Sequence, residues 1–108
     1  MIRLLVTCAG DANMRFDRDY YVNKHLPLTL DVWWPHGLEA ATAFFPPAGS
    51  GNGILSIGVY EFRDEDGIDA ALASPQTARI MDDVKNFTDT SVIERSIWKP
   101  MHSTDGDA

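Results

Sequence analysis

Residues 2–8 are short, branched and apolar, Ile2, Leu4, Val6 and Cys8 share one parity, and Gly10-Asp11 then breaks the pattern. This predicts a buried first strand. Asp11-Ala12-Asn13 reads as a loop, and Phe16 to Trp34 keeps helix-forming and aromatic residues without a glycine, with Phe16, Tyr20, Asn23 and Pro27 along one stripe. The segment predicts the first helix. Pro27 inside it cannot donate to the Asn23 carbonyl and crowds it, at a cost of about 3 kcal/mol unless the strain is relieved, so a kink is expected near His25. Trp34 precedes Pro35, which disfavours helical geometry there, and His36-Gly37 completes the stop.

Leu38 to Phe45 alternates weakly up to Pro46-Pro47, and Gly49-Ser50-Gly51-Asn52-Gly53 supplies turn chemistry, with Asn52-Gly53 suited to positive φ. A hairpin into a strand over Ile54 to Phe62 follows. The glycines do not form a dinucleotide fingerprint, because Ile54 stands where its last glycine belongs. An acidic turn, Arg63-Asp64-Glu65-Asp66, leads into a second helical region over Asp69 to Phe87. Ile68, Leu72, Ile80, Met81, Val84 and Phe87 recur there at roughly helical spacing, and Ser74-Pro75 interrupts it. Ser91 to Lys99 alternates Val92, Glu94, Ser96 and Trp98 against Ile93, Arg95 and Ile97, giving a fourth strand that Pro100 ends.

The order is the βαββαβ of an α+β, ferredoxin-like fold with a four-stranded antiparallel sheet. One domain over residues 1–100 fits the length of 108, and the polar stretch 101–108 reads as a disordered tail. Strand three is apolar on both parities: Leu55, Ile57 and Val59 against Ile54, Gly58, Tyr60 and Phe62, with Ser56 the exception. Two helices cover one face, so the other expects a second subunit packed sheet to sheet, a homodimer; the alternative is a face of scattered exposed hydrophobes.

Charge narrows the partners. Nine basic against 16 acidic residues give a net charge of −7, most of it after residue 60, which argues against nucleic acid and anionic membrane surfaces. No stretch approaches a membrane span, the opening apolar run is too short for a signal peptide, and Cys8 is the lone cysteine. A cytoplasmic, reducing setting is the expectation.

Among the imidazoles His25, His36 and His102, none stands at the spacing that lets two ligands meet one metal on a helix, so no metal site is expected. His25 lies between Tyr20-Tyr21 and Leu26-Pro27-Leu28 where the helix must deform. A neutral imidazole can take or give a proton, and a nearby Tyr hydroxyl can hold a substrate oxygen, a pairing suited to enolate-type chemistry. The other reading is a core histidine with its nitrogens satisfied by backbone. Trp33, Trp34 and Trp98 either stack on a flat ligand or supply core area. Asp89 either orients an imidazole or substrate hydroxyl, or forms a turn. Cys8 reads most simply as a small buried hydrophobe.

The segment Phe16-Asp17-Arg18-Asp19-Tyr20-Tyr21-Val22-Asn23-Lys24-His25-Leu26-Pro27-Leu28, after the strand Ile2-Arg3-Leu4-Leu5-Val6, resembles the first strand and helix of the EthD family, with His-x-Pro-Leu the most recognisable element. The resemblance runs through the element order over roughly residues 1–100, although only the first third carries a distinctive motif. It implies a dimeric α+β barrel, in which ferredoxin-like subunits pack sheet on sheet. It also implies small-molecule chemistry: ether degradation beside an oxidising system, or cofactor-free decarboxylation, dehydration or cyclisation of aromatic and polyketide compounds. The motif histidine falls on His25 and the preceding aromatics on Tyr20 and Tyr21. Trp33-Trp34-Pro35-His36-Gly37 departs from a plain loop, as a restyled pocket mouth would.

Two functions follow. One is a cofactor-independent enzyme acting on an apolar or aromatic carbonyl compound, with His25 moving a proton, Tyr20 or Tyr21 positioning an oxygen, and Trp33, Trp34, Asp89 and Trp98 contacting substrate. The other is a dimeric accessory module that binds a hydrophobic small molecule without chemistry. Haem or flavin binding gains nothing from the residues, since an axial ligand would again be His25.

Overall fold

The computed structural model describes residues 1–100. The expected tail 101–108, with His102, lies outside them. Four strands, β1 (Ile2–Ala9), β2 (Leu38–Phe44), β3 (Ile54–Phe62) and β4 (Ile93–Trp98), form one sheet in the order β2-β3-β1-β4. Every pairing is antiparallel, with Leu4 opposite Tyr60 and Ile97, and Val6 opposite Gly58 and Arg95. This is the ferredoxin-like arrangement.

The first helical region is segmented: α1 (Arg18–Tyr20), a wide π-type turn over Tyr21–His25, α2 (Leu26–Trp33), then a tight turn over Trp34–His36. It begins at Arg18 rather than Phe16 because the Asp17 carboxylate accepts from the Tyr20 N–H and caps the first turn. Phe16 instead forms a bridge with Thr88. Pro27 produces the expected irregularity at His25 in a specific form. The Leu26 N–H reaches back to the Tyr21 carbonyl, five residues away, and the turn widens where the prolyl ring would otherwise meet the chain. The anticipated stripe is corrected as well. Asn23 and Pro27 are exposed, and the buried face runs through Tyr21, His25, Thr29, Val32 and Trp33.

The second helical region starts earlier than Asp69. Asp64 caps it by accepting from the Gly67 N–H, so Glu65 and Asp66, expected in a solvated turn, form the first turn of α3 (Glu65–Ala73), where the helix dipole favours acidic groups. Ser74, extended before Pro75, separates it from α4 (Thr77–Asp83), and a tight turn over Val84–Asn86 follows.

The helices cover one face of the sheet, burying Ile2, Leu4, Tyr60 and Phe62 against Val32, Trp33, Ile68 and Ile80. A second cluster, at the Cys8 end of β1, gathers Tyr21, Phe87 and the partly buried Phe16, Tyr20 and Phe45. The opposite face carries Leu5, Phe44, Ile57, Val59 and Trp98, none of them fully buried. Among the described residues, no helix is long and apolar enough to cross a membrane.

Candidate functional site

The widened turn carries Tyr21 and His25 into the second cluster. The His25 ring stacks on Tyr21 at 5.3 Å between centroids and meets Phe87 at 4.6 Å, so it is packed by aromatic faces and only 4% exposed. Its Nδ1 lies 2.9 Å from Asp83 Oδ2, at the end of α4. Asp83 Oδ1 accepts from the Tyr20 hydroxyl at 2.6 Å and from Asn86 Nδ2 at 2.9 Å. One carboxylate therefore fixes Tyr20 of α1 and His25 of the wide turn, one through each of its oxygens. Nδ1 facing an acceptor carries its proton there, which leaves Nε2 as the basic nitrogen.

Nε2 makes no hydrogen bond among the described residues, yet it is not sealed off. Ser56 Oγ is the sole described side-chain N or O that is both fully buried and unpartnered. The ring lines a cavity of about 40 Å³, together with Tyr21, Tyr60, Cys8, Met81 and Arg95, among others. It has room for a few water-sized atoms. The Tyr21 and Tyr60 hydroxyls lie 3.3 Å apart above Gly58. Two hydroxyls sharing one mutual bond leave one hydroxyl proton for a further acceptor, with Thr29 beside Tyr60. Gly58 is required here, since a Cβ on it would stand 2.5 Å from the Tyr21 oxygen and 2.9 Å from that of Tyr60.

The electrostatics agree with this division of roles. Burial pushes the His25 pKa below its ordinary value, with the Asp83 hydrogen bond and charge pulling the other way. The ring is neutral near pH 7 and has a counter-charge waiting should it take a proton. Burial opposes the Asp83 carboxylate, but hydrogen bonds from Tyr20, Asn86 and His25 outweigh it and hold its pKa below the ordinary range. Burial raises both cavity tyrosines, Tyr60 to about 12, so they stay protonated as donors. Burial likewise raises the Cys8 thiol, outweighing the lowering influence of the neighbouring Ser56, and keeps it protonated.

Of the residues expected at the site, His25, Tyr20 and Tyr21 are brought together. Trp33 is buried at the cavity wall, with its Nε1–H donating to Thr77 Oγ1 at 2.9 Å. The others are not assembled. Trp34 and Trp98 are 63% and 59% exposed and do not line the cavity. Trp98 pairs with Arg3 on the face away from the helices, because the parity of β4 that faces inward is that of Ile93, opposite Cys8. Asp89 is exposed and bonded to Arg15. The imidazole partner is Asp83, which sequence reasoning passed over along with Tyr60 and Asn86. Tyr60 had a usable signal, its parity with Gly58 and Phe62. Asp83 and Asn86, in an acid-rich region, had none.

A larger open groove of about 570 Å³ lies between the Gly10–Phe16 segment and the β2–β3 loop. It holds no histidine or tyrosine, whereas His25, Tyr21 and Tyr60 line the smaller cavity. Among the described residues no three His, Cys, Asp or Glu side chains converge on a metal position.

The EthD domain model matches residues 14–91, which include Tyr20, Tyr21, His25 and Asp83. No curated protein matches the chain significantly. Among solved structures, an EthD-like protein from Ralstonia eutropha JMP134 aligns with a TM-score of 0.79 at 19% identity, covering 95% of this chain and 94% of that one. An ethyl tert-butyl ether degradation (EthD) family protein from Bacillus halodurans C-125 aligns at 0.66 and 19% identity, covering 94% and 99%. SnoaB, a cofactor-independent oxygenase from Streptomyces nogalater, aligns at 0.68 and 10% identity, covering 94% of each. At these identities the likeness is one of fold alone.

Proposed function

The chain belongs to the EthD family, and on that premise we propose that it is a small acid/base catalyst, working without a resident cofactor on an apolar or aromatic carbonyl compound of the polyketide type. One observation carries the reading: His25 is held by Asp83 at Nδ1 and left open at Nε2, toward a cavity that two tyrosine hydroxyls share. In the step this supports, Nε2 takes the proton from a carbon next to the substrate carbonyl. The C–H electron pair becomes the enolate C=C bond, and the developing oxyanion receives the free hydroxyl proton of the Tyr21–Tyr60 pair as a hydrogen bond. Asp83 balances the imidazolium, which then returns its proton to the carbon, or to a leaving oxygen in a dehydration or cyclisation.

A binding module without chemistry is the weaker reading. It calls for a histidine tied to backbone in a filled space, whereas this imidazole is tied to a carboxylate beside a void. SnoaB, described as cofactor-independent, supports the view that this fold needs no resident group, by analogy of fold alone. Tyr20 acts here through Asp83 rather than on substrate.

We further propose a homodimer through the outer sheet face, where Leu5, Phe44, Ile57, Val59 and Trp98 form an apolar surface that a second copy would cover. The one buried cysteine fits a cytoplasmic setting.

The catalytic reading is tested by deuterium exchange next to the carbonyl of a panel of aryl ketones, followed by NMR. His25→Asn should slow exchange of the best compound by at least about a hundredfold while the thermal transition is retained. Exchange that is unchanged, or a protein that no longer folds, sinks the assignment.

A further inference from the structure

The inward parity of β4 is Ile93, Arg95 and Ile97, opposite Cys8, Val6 and Leu4. The helices do not close over this edge strand: Ile97 is 45% exposed and Met81 50%. Arg95 and Met81 thus stand at the open rim of the cavity whose buried floor is His25, Tyr21 and Tyr60.

Register fixes how far apart the ends of this space lie. Ala43, Gly58, Val6 and Arg95 form one row across the inner face. With neighbouring strands about 4.8 Å apart, the Arg95 backbone is about 10 Å from Gly58, over which the two hydroxyls meet. A flat molecule with a carbonyl at one end reaches from those hydroxyls toward the guanidinium.

The state of that guanidinium is unusual for this chain. Arg3 pairs with Glu61, Arg15 with Asp89 and Arg63 with Glu39, while Arg18 lies over the Phe45 ring and Arg79 bonds Gln76. Among the described residues, Arg95 alone of the arginines has no such partner. A guanidinium fork matches a carboxylate through two parallel N–H···O bonds.

We propose that Arg95 binds the carboxylate of a ligand whose carbonyl end enters the His25 cavity, so that the substrate is both a carbonyl compound and an organic acid. This deepens the reading of His25 given above and rests on it. The net negative charge repels acids at a distance, and Arg95 supplies the local compensation that admits one at this rim.

The test compares 4-acetylbenzoate with 4-acetylbenzamide, which share an outline and a ketone and differ in charge, by NMR titration of the full chain with the His25 ring and Arg95 Nε–H resonances as reporters. The acid should bind in the low millimolar range or tighter and be preferred by at least about tenfold, as a charge-assisted pair implies. The preference should vanish in Arg95→Met, which keeps the aliphatic stem on an exposed strand position, and persist in part in Arg95→Lys. The His25 resonance should shift as 4-acetylbenzoate binds. Equal affinities, a preference surviving in Arg95→Met, or no 4-acetylbenzoate binding overturns the proposal. If His25 shifts with both probes but the acid is not preferred, Arg95 is excluded and the cavity stands. An acid preference through Arg95 with His25 unmoved places the anion outside the cavity and also overturns the proposal. If His25→Asn leaves exchange unchanged while the acid preference persists, the catalytic reading alone fails.

Discussion

Asp83→Asn tests the site with an almost isosteric change. The wild-type carboxylate accepts three hydrogen bonds: from Tyr20 at 2.6 Å, from Asn86 at 2.9 Å and from His25 Nδ1 at 2.9 Å. An amide offers one acceptor oxygen. With that oxygen kept toward Tyr20 and Asn86, its NH₂ faces Nδ1, which must then become the acceptor and move the ring proton to Nε2. The cavity would see a donor where it had a base. The Asp83 side chain is only 13% exposed and that of His25 5%, so the lost bond is a sheltered one. A hydrogen bond to a charged group is worth about 1.5–3 kcal/mol, which at the transition state is a loss of about ten- to hundredfold in proton transfer. The assay is ¹⁵N NMR of the His25 ring together with deuterium exchange. Wild type should show the proton on Nδ1 and the variant on Nε2, with the titration midpoint of the ring moved further down because its counter-charge is gone. Unchanged tautomer and titration in Asp83→Asn, or Nε2 already protonated in the wild type, would refute the reasoning.

The pH dependence of stability follows from the same ring. Because the folded chain holds the His25 pKa below its ordinary 6.5, the unfolded chain binds the proton first. The stability that His25 contributes as a neutral group is complete above that value and is lost as pH falls toward the folded pKa, so denaturant midpoints should decline through this window and His25→Asn should flatten the decline. The depressed Asp83 adds a second loss at lower pH, since its contribution is present above 3.8 and disappears as pH falls through its folded pKa. Gly58→Ala should destabilise by about 1–3 kcal/mol, read as a fall in thermal midpoint, because its methyl would overlap the Tyr21 and Tyr60 oxygens; a neutral effect would mean that those hydroxyls are free to move apart. Light scattering should report a dimer at micromolar concentration, and Val59→Asp, at the centre of the outer face, should yield a folded monomer. A wild-type monomer would contradict the burial argument.

Much of the fold was legible because period-two alternation is local. Ile2, Leu4 and Cys8 on β1, and Ser56, Gly58, Tyr60 and Phe62 on β3, declare their shared faces without reference to anything distant. The irregularity at His25 was legible from Pro27 for the same reason, although its form was not, since a kink and a widened turn relieve the same clash. The α3 start was less legible, because apolar spacing places it near Asp69 whereas the cap that sets it is Asp64, which accepts from the Gly67 N–H. For the site, the sequence pointed to His25 and the paired tyrosines but to the wrong aspartate. Asp83 and His25 are 58 positions apart, and the phase of α4 is set by the break at Ser74-Pro75, so only tertiary packing separates Asp83 from Asp89. The facing of Trp98 could have been inferred once Ile93 was matched to Cys8, because the two parities of a strand cannot share a side.

The five-residue reach from Leu26 to Tyr21 has a genetic corollary. A helix containing one such turn is out of step with itself by about 100°, the rotation of a single residue. Removing one codon between Tyr21 and His25 would close the widened turn and bring back the prolyl clash that it relieves. It would also swing Tyr21 and everything before it around the axis, away from His25. In lineages that keep this histidine-proline element, gaps should be scarcer in these few positions than in the loops on either side.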